Sequence, residues 1–333
     1  MPCERRPCAH LRPLAILRNC YRQPGDQPMN WRIKAVVQKT LSVLPGGMAV
    51  NDMLQQTLGD LRHFGEHVAR RVDDWAIFAD HMRQLGRSPA GLNYLEIGAG
   101  WMPILPVCFS LAGAARCWAF DLNRHMKAHL AFRMLGRLEQ FLPEIARASG
   151  RPEPEVNHAY RRLREAVSIQ DLLARASIAY SAPADASATG LPAASVDVVF
   201  SNAVLEHVPG DAIRAMMRET RRVLRPGGLA VHSVNCGDHF AYTDRNVTPI
   251  NYLRYPERRW RLWNNRILYQ NRLRPSDFLD MATAAGLTVV LERWRPRADL
   301  LEALPGLKID AAFRHYPPEQ LCCTSLDFAA RRD

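Results

Sequence analysis

Three groups of residues in this chain have types and spacings suited to chemistry. The first is Glu96-Ile97-Gly98-Ala99-Gly100. Two glycines one residue apart let a backbone turn tightly and approach a ligand closely. Asp121, with Leu122 beside it, follows at the end of the next apolar run, where a carboxylate can accept from two neighbouring hydroxyls. The second group is Asp185-Ala186 and Ser201-Asn202, at the ends of later segments. Asp185 suits either a ligand contact or a plain Asx turn. The third group is imidazole: His207, after Glu206, and His239, with Asp244 five residues on. Histidine is the usual side chain for taking a proton near neutral pH. His239 is the expected base. Adjacent residues seldom pair, so Asp244 is its expected orienting partner in preference to Asp238. His207 is expected to shape the pocket.

These residues must be positioned by the elements between them. LNYLEI, ahead of Gly98, is a short apolar run between Gly91 and Gly98 and predicts a buried parallel strand. A helix is expected over 103–113 and a strand over 115–121. A long helical stretch follows over 124–176, broken at Gly150-Arg151-Pro152. Strands are expected over 177–180, 196–201 and 229–235, and a helix over 211–224 that ends at Arg225-Pro226-Gly227-Gly228. Residues 236–274 are irregular and aromatic. A helix over 275–285 stops at Gly286, and 287–294 and 321–330 make a closing pair of strands. Strands alternating with helices predict a doubly wound, Rossmann-like α/β sheet of seven strands, the last antiparallel. In such a sheet the loops after the strands open on one crevice, where all three groups would meet.

On these residues the chain resembles the class I S-adenosylmethionine-dependent methyltransferases. Their first strand ends in an acid-x-Gly-x-Gly signature, as Glu96 to Gly100 does. The resemblance implies that Gly98, Ala99 and Gly100 lie under the methionine part of S-adenosylmethionine. It further implies that Glu96 orients the amino group through the loop and that Asp121 and Leu122 meet the nucleoside. Asp185 and Ala186, followed by Leu191-Pro192, resemble the segment that reads adenine. VDVVFSNAVLEHV (196–208) resembles the fourth strand and its exit, with Ser201 and Asn202 lining the cofactor. VLRPGGLAVHSV (223–234) resembles the helix, turn and fifth strand that follow. One departure is Met102, where the family often has a third glycine. The stretch 235–274 is similar to small-molecule enzymes of bacterial surface-polysaccharide pathways, which implies a small-molecule or glycan acceptor.

Composition narrows the remaining choices. The chain has 333 residues, 47% hydrophobic and 23% charged, ordinary for a globular protein. Residues 1–28 are expected to be disordered or to precede the true start at Met29. Residues 29–90 read as a helical extension, and 91–333 as the catalytic domain with insertions at 124–176 and 236–274. A net charge of +11 favours anionic partners. The basic helix over 31–44 suits a peripheral membrane contact on the cytoplasmic side, or packing on its own domain through Ile33, Val36, Val37, Leu41 and Leu44. The eight cysteines lack zinc spacing, and Cys8-Ala-His10 is too short a cluster, so no metal site is expected. His63, His67 and His81 are expected on the surface. Tyr252, Trp260 and their aromatic neighbours are expected either to stack on an acceptor or to cover the sheet edge, and Arg254, Arg258 and Arg259 to meet phosphate or carboxylate.

Three rival readings remain. A nicotinamide dehydrogenase would need glycine where Pro103 stands. An RNA methyltransferase fits the charge, but SNAVLEHV replaces the Asn/Asp-Pro-Pro-aromatic signature, which argues against methylation of base amino groups; nucleic acid is not the expected partner. A binding scaffold that has lost catalysis is the third.

Overall fold

The computed structural model describes residues 30–44, 47, 50, 63–244 and 246–333. The expectations for 1–28, including Cys8 and His10 and the start at Met29, lie outside the described residues.

Seven strands form one sheet: β1 (Asn93–Ile97), β2 (Arg116–Phe120), β3 (Ile178–Ser181), β4 (Val196–Asn202), β5 (Leu224–Asn235), β6 (Thr288–Arg293) and β7 (Ser325–Arg331). Their order is β3-β2-β1-β4-β5-β7-β6. The first five run parallel, and β7 runs antiparallel between β5 and β6. The apolar runs of β1 and β4 are buried on both faces, as helices on both sides of a sheet require.

One face carries the helices Phe64–Gln84, Ile104–Leu111 and the four helices between residues 128 and 175. The other carries Gly210–Val223 and Pro275–Ala284. Within the 124–176 stretch, the helix Leu142–Ser149 ends at Gly150, whose φ of 73° is the left-handed conformation that glycine adopts at little cost. Cys108, Cys117, Cys236, Cys322 and Cys323 are buried free thiols.

Several expectations are corrected. Residues 321–324 are not strand: Pro318–Leu321 is a helical turn, and β7 begins at Ser325. The Arg225–Gly228 segment belongs to β5, where the pairing with β4 shifts between Val196 and Val198. The helix Trp31–Val43 turns the opposite face inward from the one its apolar spacing suggested. Trp31, Ala35 and Gln38 are buried, whereas Ile33, Val36 and Val37 are exposed. Trp31 explains the choice. Its ring lies 5.3 Å from Phe240 and 5.1 Å from Trp263, in a satellite core with Tyr252 and Trp260. Tyr252 and Trp260 therefore pack inside the protein and present no face to an acceptor. His81, expected on the surface, is buried, and burial pulls its pKa down to about 4.

Phe64–Gln84 packs within the main core as a layer of the sheet domain. No helix among the described residues is long and apolar enough to cross a membrane.

Candidate active site

Because β1 to β5 are parallel, the segments that leave them emerge on one side of the sheet. The first is the glycine turn after β1. Gly98 has a φ of +84° and Gly100 of +63°. A Cβ on Gly98 would stand 2.4 Å from Val204 Cγ2, whereas one on Gly100 would meet nothing within 4 Å. The two glycines therefore differ in role: Gly98 admits the chain leaving β4, and Gly100 leaves open space above the turn. The amides of Gly98 and Ala99 donate to the Phe120 carbonyl, and that of Gly100 donates to Asp121 Oδ2 at 2.8 Å. The other oxygen of Asp121 accepts from the Asn123 amide at 3.1 Å. Asp121 is thereby held in one orientation beside the turn. Leu122 next to it is 69% exposed, an apolar side chain left without cover.

Glu96 lies beneath the turn, buried, with Oε2 lacking a partner. Burial, reinforced by the charge of Asp121, raises its pKa well above the ordinary carboxyl range. On the neighbouring helix, Arg71 donates to Asp74 Oδ2 at 3.2 Å, and Asn202 Nδ2 donates to the same oxygen at 2.8 Å. Arg71 is close enough to pull down the pKa of both Glu96 and Glu206. These contacts join the glycine turn to the exit of β4 through a helix that sequence reading placed outside the catalytic domain.

The remaining cofactor candidates divide. Asn202 stands at the end of β4 in the network just described. Ser201 is wholly buried, and its hydroxyl is engaged with His232 Nδ1 on β5 at 2.7 Å, so its side chain ties two strands together. Burial pulls the His232 pKa down to about 3, which keeps that ring neutral. Asp185 is exposed and accepts from the Ser187 amide at 2.8 Å, an Asx turn, while Ala186 packs on the second core.

The exits of β4 and β5 bring together three groups. After β4 comes the 3-10 turn Leu205–His207; after β5 comes His239–Tyr242. The rings of His207 and His239 lie 4.9 Å apart and nearly perpendicular, at 70°. Glu206, 1% exposed, completes the group; neither carboxyl oxygen makes a well-formed hydrogen bond, with only the Asn235 and Glu206 amides near it. Burial raises its pKa. His207 Nδ1 lies 2.7 Å from the Tyr269 carbonyl, which can only accept. Nδ1 therefore donates, and in the neutral tautomer Nε2 carries the lone pair. Nε2 of His239 is buried and unpartnered, and burial holds the ring neutral, with a pKa well below the ordinary value.

The pair expected to act with His239 does not form. Asp244 accepts the Trp31 amide at Oδ2 and the Asn246 amide at Oδ1, both at 3.0 Å. It caps the entry to the helix Trp31–Val43. The residues that position His239 were not singled out in the sequence. The His239 amide donates to Gln270 Oε1 at 3.1 Å, and Gln270 Nε2 donates to the Gly237 carbonyl. Asn271 pins the other turn, donating to the Leu205 and Val208 carbonyls at 2.7 and 2.8 Å. No local signal marks Gln270 or Asn271, since each acts on a turn more than thirty residues away. Arg274 is fully buried beneath them and donates to the Cys236, Leu321 and Cys323 carbonyls and to the Tyr252 hydroxyl.

The profile of the family described as a methyltransferase domain matches residues 64–292, about two-thirds of the chain. The chain belongs to that family and is an S-adenosylmethionine-dependent methyltransferase domain. No curated protein matches it. Similar solved structures include a putative sarcosine dimethylglycine methyltransferase from Galdieria sulphuraria, 14% identical over 79% of this chain and 86% of that one, with a TM-score of 0.43. An S-adenosylmethionine-dependent methyltransferase from Mesorhizobium loti is 20% identical over 76% and 96%, with a TM-score of 0.40. A putative methyltransferase from Bacillus halodurans is 14% identical over 76% and 98%, with a TM-score of 0.38.

The glycine turn fits the cofactor on its own terms. Open space above Gly100, the oriented Asp121 carboxylate, the uncovered Leu122 and the orphaned Glu96 oxygen offer the donors, acceptors and apolar contact that a nucleoside with an amino-acid tail requires.

Proposed function

We propose that the protein transfers a methyl group to a hydroxyl or similar nucleophile on a small molecule or glycan. The carrying observation is the placement of Glu206, His207 and His239 at the exits of β4 and β5, with the His207 proton held on Nδ1 and Nε2 left to accept. Asp121, Leu122 and the Gly98–Gly100 turn hold the cofactor, whose sulfonium supplies an electrophilic methyl group. With the cofactor bound, His207 Nε2 would accept the proton of the acceptor hydroxyl as that oxygen takes up the methyl group. His239 and Glu206 line the place where the hydroxyl sits. Exposed Arg254, Arg258 and Arg259, on the segment that also carries Tyr269 and Gln270, suit an acceptor bearing phosphate or carboxylate.

The test is transfer of radiolabelled methyl from S-adenosylmethionine to a panel of hydroxylated metabolites, sugar phosphates and lipid-linked sugars, with RNA included. Transfer to a small molecule or glycan that drops in His207→Ala supports the reading. Cofactor binding with no transfer to any acceptor would leave a scaffold, and transfer to RNA alone would replace the acceptor class.

A further inference from the structure

The geometry points to a divalent transition-metal site formed by Glu206, His207 and His239. It deepens the function proposed above and rests on it for its catalytic meaning, although metal binding itself does not.

Each of the three residues brings a ligating atom within 4.8 Å of the other two. Ligands sharing one ion at bond lengths near 2.1 Å stand about 3.4 Å apart in a tetrahedral site. The group thus closes on an ion by movements of about 1 Å, within the reach of side-chain adjustment. The donors are two imidazoles and one carboxyl, a set that suits Zn²⁺, Mn²⁺, Fe²⁺ or Co²⁺ better than Mg²⁺ or Ca²⁺, which prefer oxygen alone.

Two further observations point to a ligand. Glu206 is 1% exposed with neither oxygen in a well-formed hydrogen bond, only the Asn235 and Glu206 amides lying near it, and Nε2 of His239 is likewise buried without a partner. Buried polar atoms ordinarily find hydrogen bonds, so three such atoms facing one another need an explanation. A cation satisfies them together. The second is the bond from His207 Nδ1 to the Tyr269 carbonyl. Metal-bound histidines commonly donate their other ring proton in this way, which fixes the tautomer and aims the lone pair. Gln270, through the His239 amide, and Asn271, through the Leu205 and Val208 carbonyls, hold the two turns in register from a third segment. Lys34 and Arg71 exert their positive charge on His239 and Glu206 respectively and oppose the cation.

With three protein ligands the ion keeps open positions, the pattern of catalytic rather than structural sites. An acceptor hydroxyl entering there loses its proton to solvent more readily, and its oxygen then bonds to the methyl carbon as the carbon–sulfur bond breaks. In that state the cation replaces free His207 as the group that acidifies the acceptor.

The experiment uses the full chain stripped with EDTA and titrated calorimetrically with Zn²⁺, Co²⁺, Mn²⁺ and Mg²⁺, with S-adenosylmethionine affinity measured in parallel. The expected result is one equivalent of Zn²⁺ or Co²⁺, a visible Co²⁺ absorption band, and far weaker Mg²⁺ binding. His239→Ala, His239→Gln and Glu206→Gln should each weaken that event at least tenfold. His158→Ala, on the exposed face of a remote helix, should leave it unchanged. A stripped protein that binds S-adenosylmethionine but no equivalent of Zn²⁺ or Co²⁺ overturns the site. So does metal binding that survives all three site variants while circular dichroism shows them folded. Methyl transfer that is indifferent to EDTA returns the acidifying role to His207 and refutes the catalytic part. One bound metal with no methyl transfer to any acceptor sinks the proposed function and leaves the metal site standing.

Discussion

At the residue scale, position in the hydrogen-bond network separates residues that looked equivalent. Asp121 and Asp244 are both acids after a strand, yet Asp121 faces the open glycine turn and Asp244 caps a helix. Asp121→Ala is expected to lower S-adenosylmethionine affinity at least about tenfold, since charge-assisted hydrogen bonds contribute about 1.5–3 kcal/mol. Calorimetry on the folded variant checks this, and undiminished affinity would remove Asp121 from the cofactor site. Asp244→Ala should instead speed amide exchange across residues 31–43, read by mass spectrometry. His207→Ala should reduce turnover about a hundredfold or more while cofactor affinity holds, the signature of a group that acts on the acceptor. Equal losses in binding and turnover would place His207 with the cofactor.

At the scale of elements, the site depends on a segment that looks like a loop. Residues 236–274 carry two short turns, the helix Glu257–Trp263 and the aromatic packing around Trp31. Arg274 locks their far end by donating to carbonyls of residues 236, 321 and 323. Arg274→Met keeps the bulk and removes every donor. The Cys236 carbonyl keeps the Tyr252 hydroxyl, but stranding those of Leu321 and Cys323 should cost at least about 2 kcal/mol, at about 1–3 kcal/mol for each one left unmade. A denaturant midpoint equal to that of the wild type would show that the loop is held by its aromatics alone. In the glycine turn, Gly98→Ala should impair folding as well as binding, because its Cβ would overlap Val204 and its φ is positive. Adding Val204→Ala relieves the overlap and leaves the backbone strain, so rescue should be partial.

At the scale of the whole molecule, stability answers to pH through partly buried acids that pull in opposite directions. Asp327 on β7, paired in register with Ser233, is pushed by burial and by the charge of Asp74 up to about 6 from an ordinary 3.8. Its folded form holds the proton longer than its unfolded form. The stability it permits is therefore greatest below 3.8 and is lost as pH rises through 6. Glu219, bonded to Arg222 and Thr189, is drawn down to about 2 from 4.5. Its contribution is present above 4.5 and disappears as pH falls toward 2. Asp327→Asn should gain stability over the wild type between pH 4 and 7, with the difference levelling above 7. Urea midpoints across that range test it, and parallel curves would assign the titration to another group.

What local pattern could encode, the sequence determined. Short apolar runs between glycines specify buried strands, because only such runs survive with helices on both faces. The glycines of the turn after β1 permit a positive-φ backbone at little cost. The family therefore follows from residues 96–100, 121 and 196–208 read in line. Tertiary structure decided which polar groups meet. His207 and His239 come together because β4 and β5 are neighbours, while Gln270 and Asn271 hold them from a segment with no period to read. The inward face of the helix at Trp31 was settled by Phe240 and Trp263, two hundred residues away. Contacts at that separation depend on how the chain closes on itself, and hydrophobic spacing within one helix carries no record of them.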